Sequence, residues 1–374
     1  MQVVARHYLD HASTSPIRPT AAAAMAEWLT SPLAADAGRA HTEGHATRTV
    51  IEEARERTAD ALGVRPREII FTSGATEAIA AAVWGAVERR PHVVVAAVEH
   101  SAVRRSSEAF GPVTVVGCDA AGRIDPDEVL GAVGPDTGLV HVQFGNHEVG
   151  TLQPVAEIVA ACRERGVLVH VDAAAAAAAF TTVASVGADL VSLSAHKMGG
   201  PPGIGALLVR RGLRVRPLLA GGDQERARRA GLENTPAIVG WAAALADLQA
   251  NGDREAREAR RLTARVVRAA PGIAGVTVVG DALDRLGHIV CLTVEGVEPQ
   301  AVLLGLDQRG IAAHSGSACS SEAWEPSPVL EAMGVDAHHS LRVSVGWNSS
   351  DADIDALLEA LPDVLARLRA LRTG

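Results

Sequence analysis

Short runs of β-branched and aliphatic residues alternate along the chain with longer, alanine-rich stretches of helical periodicity. The short runs predict strands at Glu68–Thr72, Val93–Val98, Val113–Val116, Gly138–Gln143, Leu168–Val171, Leu190–Leu193 and Gly205–Val209. The longer stretches predict helices that include Arg48–Leu62, Thr76–Val87, Val155–Glu164, Thr235–Ala250 and Asp253–Ala269. This alternation is typical of a parallel sheet covered by helices on both faces, so we expect an α/β fold.

The pattern changes after Asn251-Gly252, where the strands and helices become fewer and more scattered. We therefore expect a large domain over residues 15–251 and a smaller domain that joins residues 1–14 to residues 252–374. The low-complexity run Ala173–Ala179 favours helix and needs no special function.

Composition narrows the class of protein. Of 374 residues, 48% are hydrophobic and 21% are charged, which is the balance of a folded protein. No apolar stretch reaches the ~20 residues of a membrane span, and the start resembles no secretory signal, so we expect a cytoplasmic protein without membrane contact. The net charge of −9 argues against direct nucleic-acid binding. The cysteines have neither disulfide-framework nor metal-ligand spacing, so no metal site is expected.

One residue, Lys197, is the only lysine among the 35 basic residues, and every other one is arginine. Such a bias arises when arginine replaces lysine wherever a positive charge suffices. The lysine amine can lose its proton and attack a carbonyl, whereas the guanidinium group stays charged and forms no imine. Lys197 is therefore the candidate for covalent attachment to an aldehyde cofactor.

Lys197 and Asp172 both follow predicted strands, where open α/β sheets place ligand groups. Lys197 leads into the glycine-rich run Gly199–Gly203, although a solvated loop lysine is the ordinary alternative. Asp172 could keep the pyridine nitrogen of a cofactor protonated, or it could cap the alanine-rich segment that follows.

Two further strand ends carry candidate groups. The segment Phe71–Glu77 predicts a strand, a turn and the start of a helix, so the backbone N–H groups near Gly74, Ala75 and Thr76 can cradle a phosphate or simply begin a helix. His100 follows another strand and is a candidate for stacking on a ring and transferring protons, although surface and capping histidines are more common.

The C-terminal part carries a candidate thiol and a candidate anion-binding group. Cys319 lies in a run of small polar residues, which predicts an exposed loop and either a reactive thiolate or an incidental thiol. Arg342 lies among apolar neighbours on a predicted strand and needs an anion, either a substrate carboxylate or a structural salt-bridge partner. The remaining cysteines are expected in the core: Cys118, Cys162 and Cys291.

A series of segments resembles, in order and approximate spacing, the cysteine desulfurases, and most closely the NifS/IscS type within the class V aminotransferase family. The segments are Tyr8–Ala12, Thr72–Glu77, Glu99-His100, Asn146–Gly150, His170–Ala173, Ser194–Lys197, Gly221–Arg226 and Ser315–Ser321. The resemblance extends from about Tyr8 to the region near Asp355.

The resemblance implies a homodimer with the fold of a fold type I pyridoxal-phosphate (PLP) enzyme. That fold has a mostly parallel seven-stranded sheet between helices and a smaller α+β C-terminal domain. The implied activity converts L-cysteine to L-alanine and leaves a persulfide on Cys319, whose sulfur passes to an acceptor protein. Lys197 would form the Schiff base with PLP and remove the α-proton of the substrate.

The resemblance also assigns roles to the other candidates. Asp172 would contact the pyridine nitrogen, and His100 would stack on the ring. Arg342 would bind the substrate carboxylate, and His147 would contact cofactor and substrate. The phosphate would be held by Thr76, Ser194 and His196, next to Gly74 and Ala75.

Three positions depart from the family pattern. His147 stands where the family usually has asparagine, Ala175 where it has glutamine, and Leu232 where it has threonine. Losing two hydrogen bonds to the cofactor, at ~1 kcal/mol each, predicts weaker PLP retention. Two alternatives follow: a PLP-dependent C–S or C–Se lyase that does not need Cys319, and a weakly active homologue that serves as a structural or regulatory dimer partner.

Overall fold

The computed structural model describes residues 6–88, 90–176, 187–316 and 326–372. The strands in these ranges are β1 (His7–Tyr8), β2 (Ile69–Thr72), β3 (His92–Ala96), β4 (Val113–Val116), β5 (Thr137–Gln143), β6 (Leu168–Asp172), β7 (Leu190–Ser194), β8 (Gly205–Val209), β9 (Val276–Val279), β10 (Ile289–Val294), β11 (Ile311–Ala312) and β12 (Ser340–Ser344). The helices are α1 (Pro19–Leu29), α2 (Thr42–Leu62), α3 (Ala75–Ala86), α4 (Ser101–Phe110), α5 (Pro126–Ala132), α6 (Val155–Glu164), α7 (Thr235–Ala269), α8 (Pro299–Asp307), α9 (Pro328–Ala332) and α10 (Asp351–Arg372).

In the described part of the chain, seven strands form one mixed sheet in the order β2-β8-β7-β6-β5-β3-β4. The strands from β4 to β7 are parallel neighbours, whereas β8 runs antiparallel to both β2 and β7. Every residue of β5, β7 and β8 is buried, because helices cover both faces of the sheet. The predicted α/β fold with a mostly parallel sheet is confirmed.

Alternate residues of the sheet pack into two hydrophobic clusters, one on each face. Val94 and Val140 belong to the larger cluster, which also contains Trp241 of α7. Val93 and Leu139 belong to the other cluster, under α3. This alternation follows from the two-residue period of strand side chains.

A third hydrophobic cluster joins the chain's two ends. It includes Leu9, residues of the second half of α7, and Leu341 of β12. Its sheet is antiparallel in the order β12-β10-β9, while β1 pairs in parallel with β11. The predicted boundaries, 15–251 against 1–14 plus 252–374, stay a prediction of the sequence.

Two local predictions differ from the structure. The predicted division into two helices, Thr235–Ala250 and Asp253–Ala269, is wrong, because α7 continues through the residues between them. A helical glycine costs only about 1 kcal/mol, Asn251 Nδ2 donates to Asp247 O at 3.2 Å, and α1 and α2 pack along the helix. In the alanine run, residues 173–176 form a turn rather than a helix, and residues 177–179 lie outside the described ranges.

Over the described ranges, no helix combines the length and the apolar character that crossing a bilayer requires. In the same ranges, His, Cys, Asp and Glu side chains form no group that could hold a metal ion.

Candidate active site

A cavity of about 530 Å³ opens at the carboxyl ends of the central parallel strands. This is the edge at which doubly wound sheets bind ligands. Its walls contain every predicted site residue that lies in the described ranges. These residues are Gly74, Ala75, Thr76, His100, His147, Asp172, Ser194, His196, Lys197 and Arg342.

Lys197 lies in a short 3₁₀ turn, Ala195–Met198, directly after β7. The N-terminal segment fixes this turn, since Ser15 N donates to His196 O at 2.8 Å and Arg18 N donates to Gly199 O at 2.8 Å. Gly199 has φ +77°, and a Cβ atom there would lie 2.6 Å from Arg18 Cγ, so only glycine fits. Residues about 180 positions apart therefore position the lysine.

Burial is the main effect that lowers the pKa of Lys197, and Arg342 adds to it, while Asp172 and Asp10 oppose the shift; the resulting pKa is about 8. An amine with this pKa is partly uncharged near neutral pH. Lys197 is thus prepared to act as a nucleophile or a base, which an arginine at this position could not do.

Asp172 is the last residue of β6 and is 9% exposed. Its Oδ1 atom accepts hydrogen bonds from Ala174 N at 3.0 Å and Ser192 Oγ at 3.1 Å. Asp172 therefore caps the turn formed by residues 173–176, and not a helix. Within the described ranges Oδ2 accepts no hydrogen bond, so one carboxylate oxygen remains able to bind a protonated ring nitrogen.

The N-terminus of α3 forms the other end of the cavity. Gly74, Ala75 and Thr76 supply backbone N–H groups there, and Ser194 and His196 line the same wall. Glu77 lies close by, but its carboxylate forms a salt bridge with Arg229, whose Nε atom lies 2.9 Å from Glu77 Oε1. This set of backbone N–H groups, hydroxyls and an imidazole suits a phosphate group.

His100 and His147 meet above the cavity with ring centroids 5.0 Å apart. Burial lowers the pKa of His100 to about 4 and that of His147 well below its usual value. Both rings are therefore neutral at physiological pH. His100 Nδ1 accepts from Ala102 N at 3.0 Å and caps α4, so the ring proton resides on Nε2.

Arg342 on β12 is 2% exposed and already has an anionic partner. Its Nη2 atom donates to Asp10 Oδ1 at 2.9 Å and to Ser13 Oγ at 2.6 Å, while Nη1 donates to His147 O at 2.9 Å. The structural salt bridge considered for this arginine is thus present. Its Nε atom is buried and has no hydrogen-bond partner in the described part of the chain, while the residue itself lines the cavity.

The departures from the family pattern fall at different places. His147 and Ala175 line the cavity, and Ala174 lies beside them. Leu232 is 64% exposed on the surface. The side chain of Ala175 cannot donate a hydrogen bond to a ligand, whereas the imidazole ring of His147 can.

Cys319 lies outside the described residues. Of the other cysteines, Cys162 and Cys291 are buried, and burial raises their thiol pKa values to about 11 and about 12. Cys118 is only partly buried, and its Sγ atom donates to Ala332 O at 3.4 Å. None of these three lines the cavity, so none of them replaces Cys319 as the candidate nucleophile.

The sequence analysis missed several residues around the cavity. Gln143 ends β5 opposite Asp172, and its N–H donates to the buried carboxyl group of Glu99 at 2.6 Å. Its position could have identified Gln143 from the sequence, because it ends a parallel strand next to the strand that Asp172 ends. Asp10 and His314 left no such signal, since packing of distant segments brings them here.

The cavity fits PLP in size and in chemistry. Its volume lies in the usual range for small-molecule sites. A lysine amine, a carboxylate oxygen without a partner in the described ranges, and an N-terminal helix cradle face one space. These are the groups needed for the aldehyde, the pyridine nitrogen and the phosphate.

Comparison with known proteins places this architecture in a family. The aminotransferase class-V family model matches residues 7–357. The cysteine desulfurase IscS of Methanosarcina thermophila is 37% identical over 97% of this chain and 92% of its own length. A NifS-like protein superposes with a TM-score of 0.90 at 28% identity, over 97% of this chain and 100% of that one.

The solved structure of SspA in complex with cysteine superposes with a TM-score of 0.80 at 29% identity, over 92% of this chain and all of SspA. A fold shared over nearly the whole length, together with this level of identity to IscS, leaves one assignment. The chain belongs to the class-V aminotransferase family and, within it, to the cysteine desulfurases of the NifS/IscS type.

Proposed function

We propose that this chain uses PLP to convert L-cysteine to L-alanine and carries the released sulfur on Cys319 for transfer to an acceptor protein. One observation carries the proposal: Lys197, the only lysine, meets Asp172 and the N-terminus of α3 in a single cavity. The likeness to SspA, which was solved with cysteine, supports cysteine as the substrate.

Within this proposal, Lys197 would attach the cofactor and Asp172 would hold its ring nitrogen. Thr76, Ser194 and His196 hold the phosphate with the N–H groups that follow Gly74. PLP, when bound, supplies an electron sink that stabilises negative charge at the substrate Cα atom. His100 faces the same space as a neutral ring with its proton on Nε2.

The chain's own groups bind the substrate and move its protons. Arg342 binds the carboxylate of cysteine, and the neutral His147 ring borders the same space. The Lys197 amine, whose pKa burial lowers to about 8, removes the proton from Cα. As a neutral imidazole, His100 can donate a hydrogen bond through Nε2–H in the same cavity.

The sulfur step balances without an external oxidant. The Cys319 thiolate attacks the substrate sulfur, so an S–S bond forms while the C–S bond breaks. The electron pair of the broken bond remains on the carbon skeleton, which takes up a proton and leaves as alanine. Cysteine and a thiol thus yield alanine and a persulfide.

A visible spectrum and mass analysis test this proposal. Purified protein supplied with PLP should absorb in the PLP range and change its spectrum when L-cysteine is added. Borohydride reduction should leave a pyridoxyl group on Lys197, and cysteine should add one sulfur atom to Cys319. If no pyridoxyl adduct forms at Lys197 after supplementation, the proposal is wrong.

Cys319→Ala distinguishes this activity from the lyase alternative. A desulfurase that needs the thiolate should lose sulfide release by about 10²-fold or more, yet keep its spectral response to cysteine. A lyase acting on another C–S or C–Se substrate would keep its turnover. A purely structural homologue would show no spectral response in either protein.

We also propose that the protein is a homodimer, that its sulfur acceptor is a protein, and that it acts in the cytoplasm. The family resemblance supports the first two. Sedimentation of the PLP-loaded protein tests the first, since a monomer at micromolar concentration would contradict it.

A further inference from the structure

Glu148 has a buried carboxyl group close to the active-site cavity and no role in the steps above. The residue is 2% exposed and follows β5 in a turn that Asn146 holds. Asn146 Oδ1 accepts from Glu148 N at 2.8 Å and from Val149 N at 2.9 Å. Asn146 Nδ2 donates in turn to Val98 O at 3.1 Å. A firmly bonded turn therefore carries the carboxyl group.

The Glu148 carboxyl group lies next to the chain on both sides of residues 317–325 and is hydrogen-bonded on the far side. On the far side, Ser327 Oγ donates to Glu148 Oε2 at 2.5 Å and caps α9 by accepting from Leu330 N at 3.1 Å. On the near side, a Cβ atom at Gly316 would lie 3.6 Å from the same Oε2. Gly316 has φ +98°, which side-chain-bearing residues rarely adopt. The carboxyl group is thus hydrogen-bonded to the Ser327 stem and lies next to the Gly316 stem.

Titratable and charged groups surround this carboxyl group. Burial is the largest effect and raises the pKa of Glu148, while the Ser327 hydrogen bond and nearby groups such as Arg342 lower it. The resulting pKa is about 7. The carboxyl group therefore changes its charge near neutral pH. The facing groups are Arg342 on β12, His314 before the near stem, His100 and His147 at the cavity, and the buried thiol of Cys291 on β10.

We infer that Glu148 is a positioning residue for sulfur transfer: its ionised carboxylate ties the Ser327 stem, next to Gly316, to the cavity wall beside Arg342. The inference rests on the proposed function, because the stems flank the proposed sulfur carrier. Three peptide units join Gly316 to Cys319, so their Cα atoms can be at most about 11 Å apart.

The expected pH dependence follows from the sign of the shift. Because its pKa is raised, Glu148 becomes neutral as the pH falls through about 7. A neutral carboxyl group loses its attraction for Arg342 and is a poorer acceptor for the Ser327 hydroxyl. Sulfur transfer to Cys319 should therefore weaken over the same range, while cysteine binding should not.

The test measures two steps separately in the PLP-loaded protein. Stopped-flow absorbance follows the response to L-cysteine, and mass analysis of quenched samples follows persulfide on Cys319. Glu148→Gln should leave the first step within about two-fold but slow the second by about ten-fold or more, since misplacing a reacting group by about 1 Å can cost about 10²-fold. The fall in the rate of persulfide formation near pH 7, here called the pH limb, should disappear. The fall caused by protonation of the Cys319 thiolate, ordinarily at pH ~8.5, should remain.

Ser327→Ala gives an independent signature. It removes the hydroxyl that the ionised carboxylate holds, so persulfide formation should slow by about ten-fold and its pH dependence near 7 should flatten. This variant also decides the question if Glu148→Gln fails to fold. Glu233→Gln is the matched control, because burial also raises the pKa of Glu233, and it contacts neither stem.

The outcomes are distinct. If wild-type protein forms no persulfide on Cys319, the proposed function fails. If wild-type protein forms it and Glu148→Gln keeps the wild-type rate and pH limb, the positioning role is wrong. A wild-type rate and pH limb in Ser327→Ala, or an equal loss in Glu233→Gln, would also overturn it.

Discussion

At the residue scale, the site depends on how burial changes the charge of individual groups. Lys197, His100 and His147 lie close together, and a full positive charge on all three would be unfavourable in so enclosed a space. Burial lowers all three pKa values, so the imidazoles are neutral and the lysine is partly neutral near pH 7. Asp172 remains as the acidic partner for a ring nitrogen.

Capture of the cofactor should therefore depend on pH. The uncharged fraction of Lys197 rises as the pH rises through about 8, because its pKa lies below the usual lysine value. Apo protein mixed with PLP should react faster at about pH 9 than at about pH 7, by roughly ten-fold, and then level off. Absorbance on mixing measures the rate. A rate still rising in proportion to hydroxide up to pH ~10.5 would show an ordinary lysine.

At the element scale, a strand and a helix terminus meet at the phosphate end of the cavity. Gly205 of β8 pairs with Thr72 at the end of β2 and with Ser194 at the end of β7. A Cβ atom at Gly205 would lie 2.4 Å from Leu193 O and 2.7 Å from Gly74 Cα. The start of α3 can approach the sheet this closely only because residue 205 has no side chain.

Gly205→Ala should therefore push the Gly74 turn away from the sheet. We expect a loss of about 1–3 kcal/mol in the free energy of unfolding and weaker PLP retention. Gly131→Ala in α5 is the matched control, since no atom lies within 4 Å of its Cβ position, and it should stabilise by up to about 1 kcal/mol. Urea unfolding and PLP titration measure both variants; equal stability would contradict the packing interpretation.

At the scale of the whole molecule, distant parts of the chain form the cavity. Lys197 and Asp172 come from the large sheet, Arg342 from the small one, and Ser13 from the N-terminal segment. A ligand that contacts all of these parts binds the folded chain and not the unfolded one. Its binding energy therefore adds to the stability of the entire fold.

PLP should accordingly raise the melting temperature of the wild-type protein. At a free concentration of about 100 times Kd the expected gain is ~2.7 kcal/mol, or several degrees. Lys197→Ala removes the covalent link and should show a clearly smaller shift at the same concentration. Differential scanning calorimetry measures both proteins, and an identical shift would mean that Lys197 does not hold the cofactor.

The sequence by itself determined the α/β class, all seven strands of the large sheet and the identity of the key lysine. Local periodicity encodes strands and helices, and the uniqueness of Lys197 reflects chemistry that arginine cannot perform. The tertiary structure decided the continuity of α7, the pairing of Arg342 with Asp10 and the hydrogen bond of Glu148 with Ser327. These depend on packing between segments far apart in the chain, about which local pattern carries no information.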